Sequence, residues 1–285
     1  MTYVRGILAL AGFALLVLFA APLQWLALRC NSPVQRRLPL LFCRLTCRLL
    51  GIRPRFRGRT GGRSPRMIVP NHVSWTDVLV LGCREAPLRF VAKSEVAGWP
   101  LFGAIARLTG TIFVERRCRR SILRVNAALS ERLAAGEDVV VFAEATTGDG
   151  SRLKRFNAPH FAALHDFLLA QPQKAGVTVT PVGLAYVRRH GLPLGRLGRS
   201  EVAWYGDTAL VPHLWMLVTR GGIDCDVTYG APIRFDRGSD RKAVARETEA
   251  AVRRLVRASL TGRAELPNMA ATRQPAPRMP ELQAV

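Results

Sequence analysis

The chain has 285 residues, 49% of them hydrophobic, enough for one domain of about 200 residues with appendages and too few for a large multidomain enzyme. Forty-two basic against twenty acidic side chains leave a net charge of +22, and all but four of the basic residues are arginine, so an anionic partner surface is implied. Six cysteines without any C-x-x-C spacing exclude a small disulfide framework, and all six read as reduced structural thiols in a cytosolic setting.

Twelve arginines and no acid precede Asp77, so over half of the net charge lies in the first quarter of the chain. Within it, Ile7 to Leu28 carry no formal charge, and as a helix they would be roughly 33 Å long, enough to cross a bilayer. A signal peptide fits less well because the apolar run continues through Pro22 and offers no clean cleavage site. Arg5 on one side against Arg29, Arg36 and Arg37 on the other predicts that the bulk of the protein faces the cytoplasm. Residues 1–30 are therefore expected to be a transmembrane or re-entrant anchor. Next, Leu38, Leu41, Phe42, Leu45 and Leu49 recur at helical spacing, with Arg37, Arg44 and Arg48 on another face. The pattern predicts an amphipathic helix at the headgroup level, or the same helix packed on a catalytic domain; it and a linker fill residues 31–65.

From Arg66 short strand-like and helix-like segments alternate. Met67–Val69, Leu88–Ala92, Thr111–Val114, Val139–Phe142 and Val177–Val182 read as buried strands. A helix carries Ile122, Val125, Leu129 and Leu133 on one face and stops at Gly136; a strand around Cys225–Tyr229 and a helix over Asp240–Leu260 close the domain. The alternation predicts an α/β fold, a largely buried sheet covered by helices, over residues 66–262. Residues 263–285, rich in Pro, Ala and Arg, read as a disordered tail.

The stretch with most chemistry is PNHVSWTD, Pro70 to Asp77. Five residues apart, His72 and Asp77 would point roughly 140° from each other on a regular helix. They meet only if His72 precedes a helix and Asp77 reaches back from its first turn. An imidazole so held has a fixed tautomer and one free nitrogen, able to take a proton from a substrate hydroxyl without any serine or cysteine nucleophile. The two residues by themselves fit a structural hydrogen bond equally well.

In order, NHVSWTD, GTIFVERR from Gly110, VVVFAEATTGDG from Val139 and VTPVGLAY from Val179 resemble the four motifs of the glycerolipid acyltransferases, the group of bacterial 1-acylglycerol-3-phosphate acyltransferase. The resemblance spans Arg66 to Leu260. FVAKSEV, TTGDG and AWYGD look most similar to the lyso-ornithine lipid acyltransferases. The resemblance implies His72 as base and Asp77 as its orienting partner, and it places Arg116 at the acceptor's head group, where a guanidinium offers a planar fork of donors. Glu144 then contributes to acceptor binding and site geometry beside Ala145, Thr146 and Thr147, and Pro181 shapes the acyl-donor side. No cofactor or metal is implied; the co-substrate is an acyl thioester of acyl carrier protein or coenzyme A.

Two positions depart from the family pattern. Ala145 stands where a glycine is usual, adding a methyl at a site that can need an unusual torsion. Thr147 stands where many members have an arginine, which fits an acceptor without a phosphomonoester. In the following LKRFNAPHF segment, Arg155 and Asn157 also differ from the usual residues and carry no assigned role. His160 and His165 have the wrong spacing and no third partner for zinc, and no nucleic-acid reader motif accompanies the charge. The expected partners are membrane lipids, an acyl carrier and a lysolipid acceptor, at the bacterial inner membrane. Three readings stay open: acylation of lyso-ornithine lipid, acylation of lysophosphatidic acid, and a membrane-anchored lipid-binding protein with a decayed site.

Overall fold

The computed structural model describes residues 2–60, 65–84, 87–99, 102–114 and 119–262. The expected tail and Arg116 lie outside the described residues. The sheet is mixed, in the order β1 (Ile52–Arg57), β8 (Ile223–Tyr229), β6 (Val177–Arg189), β2 (Arg66–Pro70), β5 (Asp138–Val140), β3 (Leu88–Lys93), β4 (Ile112–Val114). Neighbours on this path run parallel except β6 and β8, and β7 (Leu192–Pro193) and β9 (Ile233–Phe235) also pair antiparallel with β6.

Alternation along the strands feeds two cores. Met67, Val69, Val139 and Val179 point to a layer with Val125, Leu129 and Leu133 of α6 (Arg119–Ala134), Leu164 and Phe167 of α7 (Ala162–Ala170), and Val252 of α10 (Arg241–Leu260). Ile68, Val140, Val182, Leu184 and Tyr186 point the other way, to Cys47 and Leu50 of α2 (Val34–Leu50), Val80 and Leu81 of α3 (Thr76–Gly82), and Leu217 and Val218 of α9 (Leu210–Arg220). This two-residue alternation buries both faces, as a sheet between helical layers requires. α10 starts where expected, with the Asp240 carboxylate accepting from Lys242 N and Ala243 N.

At least six elements differ from the sequence reading. The stretch assigned to a linker contains β1, whose Ile52 to Arg57 pair in register with Ile223 to Thr228, so the sheet begins well before residue 66. Arginine at alternate positions masked it; Arg55 and Arg57 instead meet Asp224 and Asp226 on the neighbouring strand. β6 runs to Arg189, twice the expected length, because its second half pairs with β8. α4 (Ser94–Ala97), α5 (Phe102–Leu108), α8 (Gly195–Val202) and α9 were not foreseen: the first two are under eight residues, and α8 and α9 start without a side-chain cap.

The apolar run forms α1 (Thr2–Arg29), the one helix among the described residues long and apolar enough to cross a membrane. One face packs on the domain along most of its length. Arg5 donates to Val218 O at the end of α9, Phe13 packs on Phe42 of α2, and Gln24 Nε2 donates to Gln35 O at 3.2 Å. The opposite face, with Ile7, Leu8, Leu15, Leu18, Phe19 and Trp25, is exposed. α2 turns its arginines 36, 37, 44 and 48 outward and packs its apolar face on α1 and α3. It ends at Gly51, whose φ of 72° is left-handed and which has Arg5 and Gly221 against its Cα, so no side chain fits there.

Candidate active site

β2 ends at Pro70, and residues 71–75 form a turn into α3. Asn71 replaces the strand pairing lost at this turn: its amide donates to Leu184 O at 3.0 Å and accepts from Leu184 N at 2.7 Å. His72 thus lies before the helix and Asp77 in its first turn. His72 Nδ1 lies 2.8 Å from Asp77 Oδ2, and the imidazole stacks on Phe142 with ring centroids 3.9 Å apart. His72 Nε2 has no hydrogen-bond partner among the described residues, and the ring lines the cavity described below.

Asp77 is fully buried, which isolated ionised carboxylates do not tolerate. Its charge is met by four donors. Oδ2 accepts from His72 Nδ1, from Val73 N at 2.7 Å and from Ser74 N at 3.0 Å, and Oδ1 accepts from Tyr186 Oη at 2.7 Å. Burial, then the charge of Asp77, pushes the Tyr186 phenol well above its ordinary value, so it stays a donor. With Asp77 held as acceptor, Nδ1 carries the proton and Nε2 is the basic nitrogen.

The segment after β5 clamps the main chain of His72 from both sides. His72 N donates to Glu144 Oε1 at 2.8 Å, Gly148 N donates to His72 O at 2.9 Å, and the second Glu144 oxygen accepts from Lys154 N at 2.8 Å. Burial is the main cause that raises the Glu144 carboxyl to about 7, against the two amide donors, which pull the other way. Both oxygens of Glu144 are used by the protein's own amides. Its geometry is that of a brace for the His72 turn, not of a group reaching into the cavity, whose wall it does not join. Ala145 has a φ of 61°, the left-handed torsion for which glycine is usual. Thr146 and Thr147 line the cavity, and Thr147 O accepts from Lys154 Nζ at 2.8 Å. Pro181 is elsewhere: it sits inside β6 beside Val69, accepts from Gly230 N at 2.9 Å and does not line the cavity.

A cavity of about 450 Å³ opens beside His72. Its walls are mostly apolar: Leu10 and Phe13 from α1, Phe42 and Leu49 from α2, Val78 and Leu79 from α3, and Phe90 and Phe142. It therefore joins the His72 ring to the two N-terminal helices. Among the described residues no group of three His, Cys, Asp or Glu side chains could hold a metal.

Three contributors were not singled out in the sequence. Asn71 and Tyr186 both belonged to quoted motifs, yet neither a side-chain stand-in for strand pairing nor a phenol 109 positions from its carboxylate shows in spacing. His213 accepts from Trp75 Nε1 at 3.1 Å and faces Val202 O at 3.1 Å through Nε2, so it fixes the indole next to Ser74. Burial lowers its basicity, consistent with a neutral ring used at both nitrogens.

A histidine–carboxylate pair at a strand-to-helix turn, with no serine or cysteine side chain on His72 Nε2 among the described residues, set against an apolar cavity, fits direct transfer of an acyl group. The acyltransferase family profile matches residues 53–185, which include all of this turn and its brace. The chain is 40% identical over 93% of its length to the lyso-ornithine lipid O-acyltransferase of Brucella abortus, covering 98% of that protein. It is 30% identical over 70% of its length to the 1-acyl-sn-glycerol-3-phosphate acyltransferase of Neisseria gonorrhoeae, covering 73% of it. The crystal structure of the 1-acyl-sn-glycerophosphate acyltransferase PlsC of Thermotoga maritima shares the fold, with a TM-score of 0.60 at 18% identity, over 93% of this chain and 99% of that one. The chain belongs to the acyltransferase family. It is an acyltransferase, and its long apolar helix makes it a membrane-associated one.

Proposed function

We propose that the protein acylates the hydroxyl of a lysolipid, and that the acceptor is lyso-ornithine lipid. The observation carrying the reaction type is the His72–Asp77 pair at 2.8 Å, with its free nitrogen on a cavity that runs to the anchor helices. His72 Nε2 takes the acceptor's hydroxyl proton as the oxygen attacks the thioester carbonyl; Asp77 stabilises the imidazolium. The tetrahedral adduct collapses, the C–S bond breaks, and the imidazolium returns the proton to the leaving thiolate. The acyl donor is a thioester of acyl carrier protein or coenzyme A. Arg116 is assigned to the head group of the acceptor and Thr146 and Thr147 to the acceptor side of the cavity.

The acceptor reading rests on the relative from Brucella abortus named above and on Thr147 in place of a cation. Lysophosphatidic acid is the second reading, favoured by the relative from Neisseria gonorrhoeae. Because α1 is tied to α9 near its start and to α2 near its end, and α2 turns arginines outward, we place both helices in the interfacial layer of one leaflet. That leaflet is the cytoplasmic one of the bacterial inner membrane, whose anionic lipids match the net +22. The test uses membranes containing the protein, labelled acyl carrier protein thioester, and either acceptor. Transfer to lyso-ornithine lipid, lost in His72→Ala, is expected; transfer to lysophosphatidic acid alone would overturn the acceptor.

A further inference from the structure

With 42 basic side chains, the protein places none of them, among the described residues, in the wall of its main cavity; one carboxylate, Glu95, is there instead. Glu95 is exposed at the cavity mouth and makes no hydrogen bond or ion pair through its side chain with any described residue, so its carboxylate is open to a ligand. Around it the cavity wall is aromatic. Trp99 is four residues on, in the turn that follows α4, where Gly98 N donates to Glu95 O at 3.1 Å and Trp99 N to Val96 O at 3.2 Å, and both side chains line the cavity.

The rings follow one another at nearly right angles. Trp204 meets Trp99 at 6.3 Å and 87°, Trp99 meets Phe102 at 6.4 Å and 89°, and Phe102 meets Trp75 at 6.3 Å and 79°. Two of these walls hang from the catalytic turn itself: Trp75 is three residues after His72, and Trp204 N donates to Val73 O at 2.9 Å. Perpendicular aromatic faces with a carboxylate beside them are suited to an organic cation, whose charge the ring quadrupoles and the acid both attract. A phosphomonoester would instead bring its negative charge against Glu95.

We propose that Trp75, Trp99, Phe102 and Trp204, with Glu95, form a box that seats the side-chain ammonium of the acceptor's head group. The inference rests on the lyso-ornithine lipid reading above. Ornithine joined to a lipid through its α-amine keeps a terminal ammonium, and the box gives that group a partner on the same turn as the base. It selects a zwitterionic acceptor that presents a terminal ammonium over a phosphate-bearing one.

The test compares kcat/KM for lyso-ornithine lipid with that for the same lipid acetylated on its terminal amine, using the full-length protein in proteoliposomes and acyl carrier protein thioester as donor. The wild type is expected to favour the free amine by about tenfold or more, mostly through KM. That preference is expected to fall towards one in Glu95→Gln and in Trp99→Leu. Each variant is judged by the ratio of its own two rates, so a partly folded preparation does not mimic the effect. Equal rates for the two lipids in the wild type overturn the box while leaving lyso-ornithine lipid as acceptor, and so does a wild-type ratio retained in both variants. Acylation of lysophosphatidic acid with neither ornithine lipid accepted overturns both.

Discussion

Glu144→Gln separates the brace from the base. The carboxyl moves from an ordinary 4.5 to about 7 on folding, chiefly through burial. Between those two values the native state keeps a proton that the unfolded chain has released, so stability falls as pH rises through the window. A difference of 7 against 4.5, at about 1.4 kcal/mol per pH step, makes the loss about 3 kcal/mol. For a domain of this size that is about 6–12 °C in Tm. Glutamine does not titrate, so the wild-type Tm minus that of Glu144→Gln should drop by about that amount between pH 4 and pH 8. The subtraction removes other groups, including His213, whose lowered basicity contributes with the opposite sign. Thermal unfolding in detergent micelles, followed by circular dichroism at four pH values, provides the measurement. A difference that stays flat with pH would refute the reasoning. Glutamine can also accept only one of the two amides at His72 and Lys154, so kcat should fall about tenfold even at the pH where stability is matched.

Three further outcomes are expected. His72→Ala should lower kcat by about 10²–10⁴-fold, the share of a general base, measured with the labelled thioester, and, because it removes one of the four donors to the buried Asp77 carboxylate, it should also lower the Tm. Tyr186→Phe removes a buried donor to a carboxylate and leaves Thr76 Oγ1 without its 2.7 Å partner, so unfolding should be about 1.5–3 kcal/mol easier; an unchanged denaturation midpoint would count against the phenol's role. Ala145→Gly relieves a left-handed torsion of 61° and should raise stability by about 1 kcal/mol, seen as a higher melting temperature.

How much of this was legible depended on whether a residue's partner was near in sequence. His72 and Asp77 are five apart, and spacing alone required the turn that the structure has. Helix α6 and the strands with uninterrupted Val, Ile and Met were legible because both faces of the sheet are buried. The unusual torsion at Ala145 was legible from the glycine expected there. By contrast, β1 was hidden because its arginines find aspartates on a strand about 170 residues later. The same distance hid Tyr186, 109 residues from Asp77, and His213, 138 from Trp75. The box draws on four separate segments; Trp75, Glu95 and Trp204 each stood in a quoted stretch, but nothing in the spacing of those stretches brings them together.

The anchor and the active site share a wall. Ala9, Leu10 and Phe13 of α1 and Phe42, Thr46 and Leu49 of α2 line the cavity that His72 faces. A chain trimmed of its first fifty residues would therefore lose one side of the substrate chamber. In the interfacial placement proposed above, the same helices that meet lipid complete the site, and an acyl chain would pass from membrane to cavity between apolar surfaces without first crossing water.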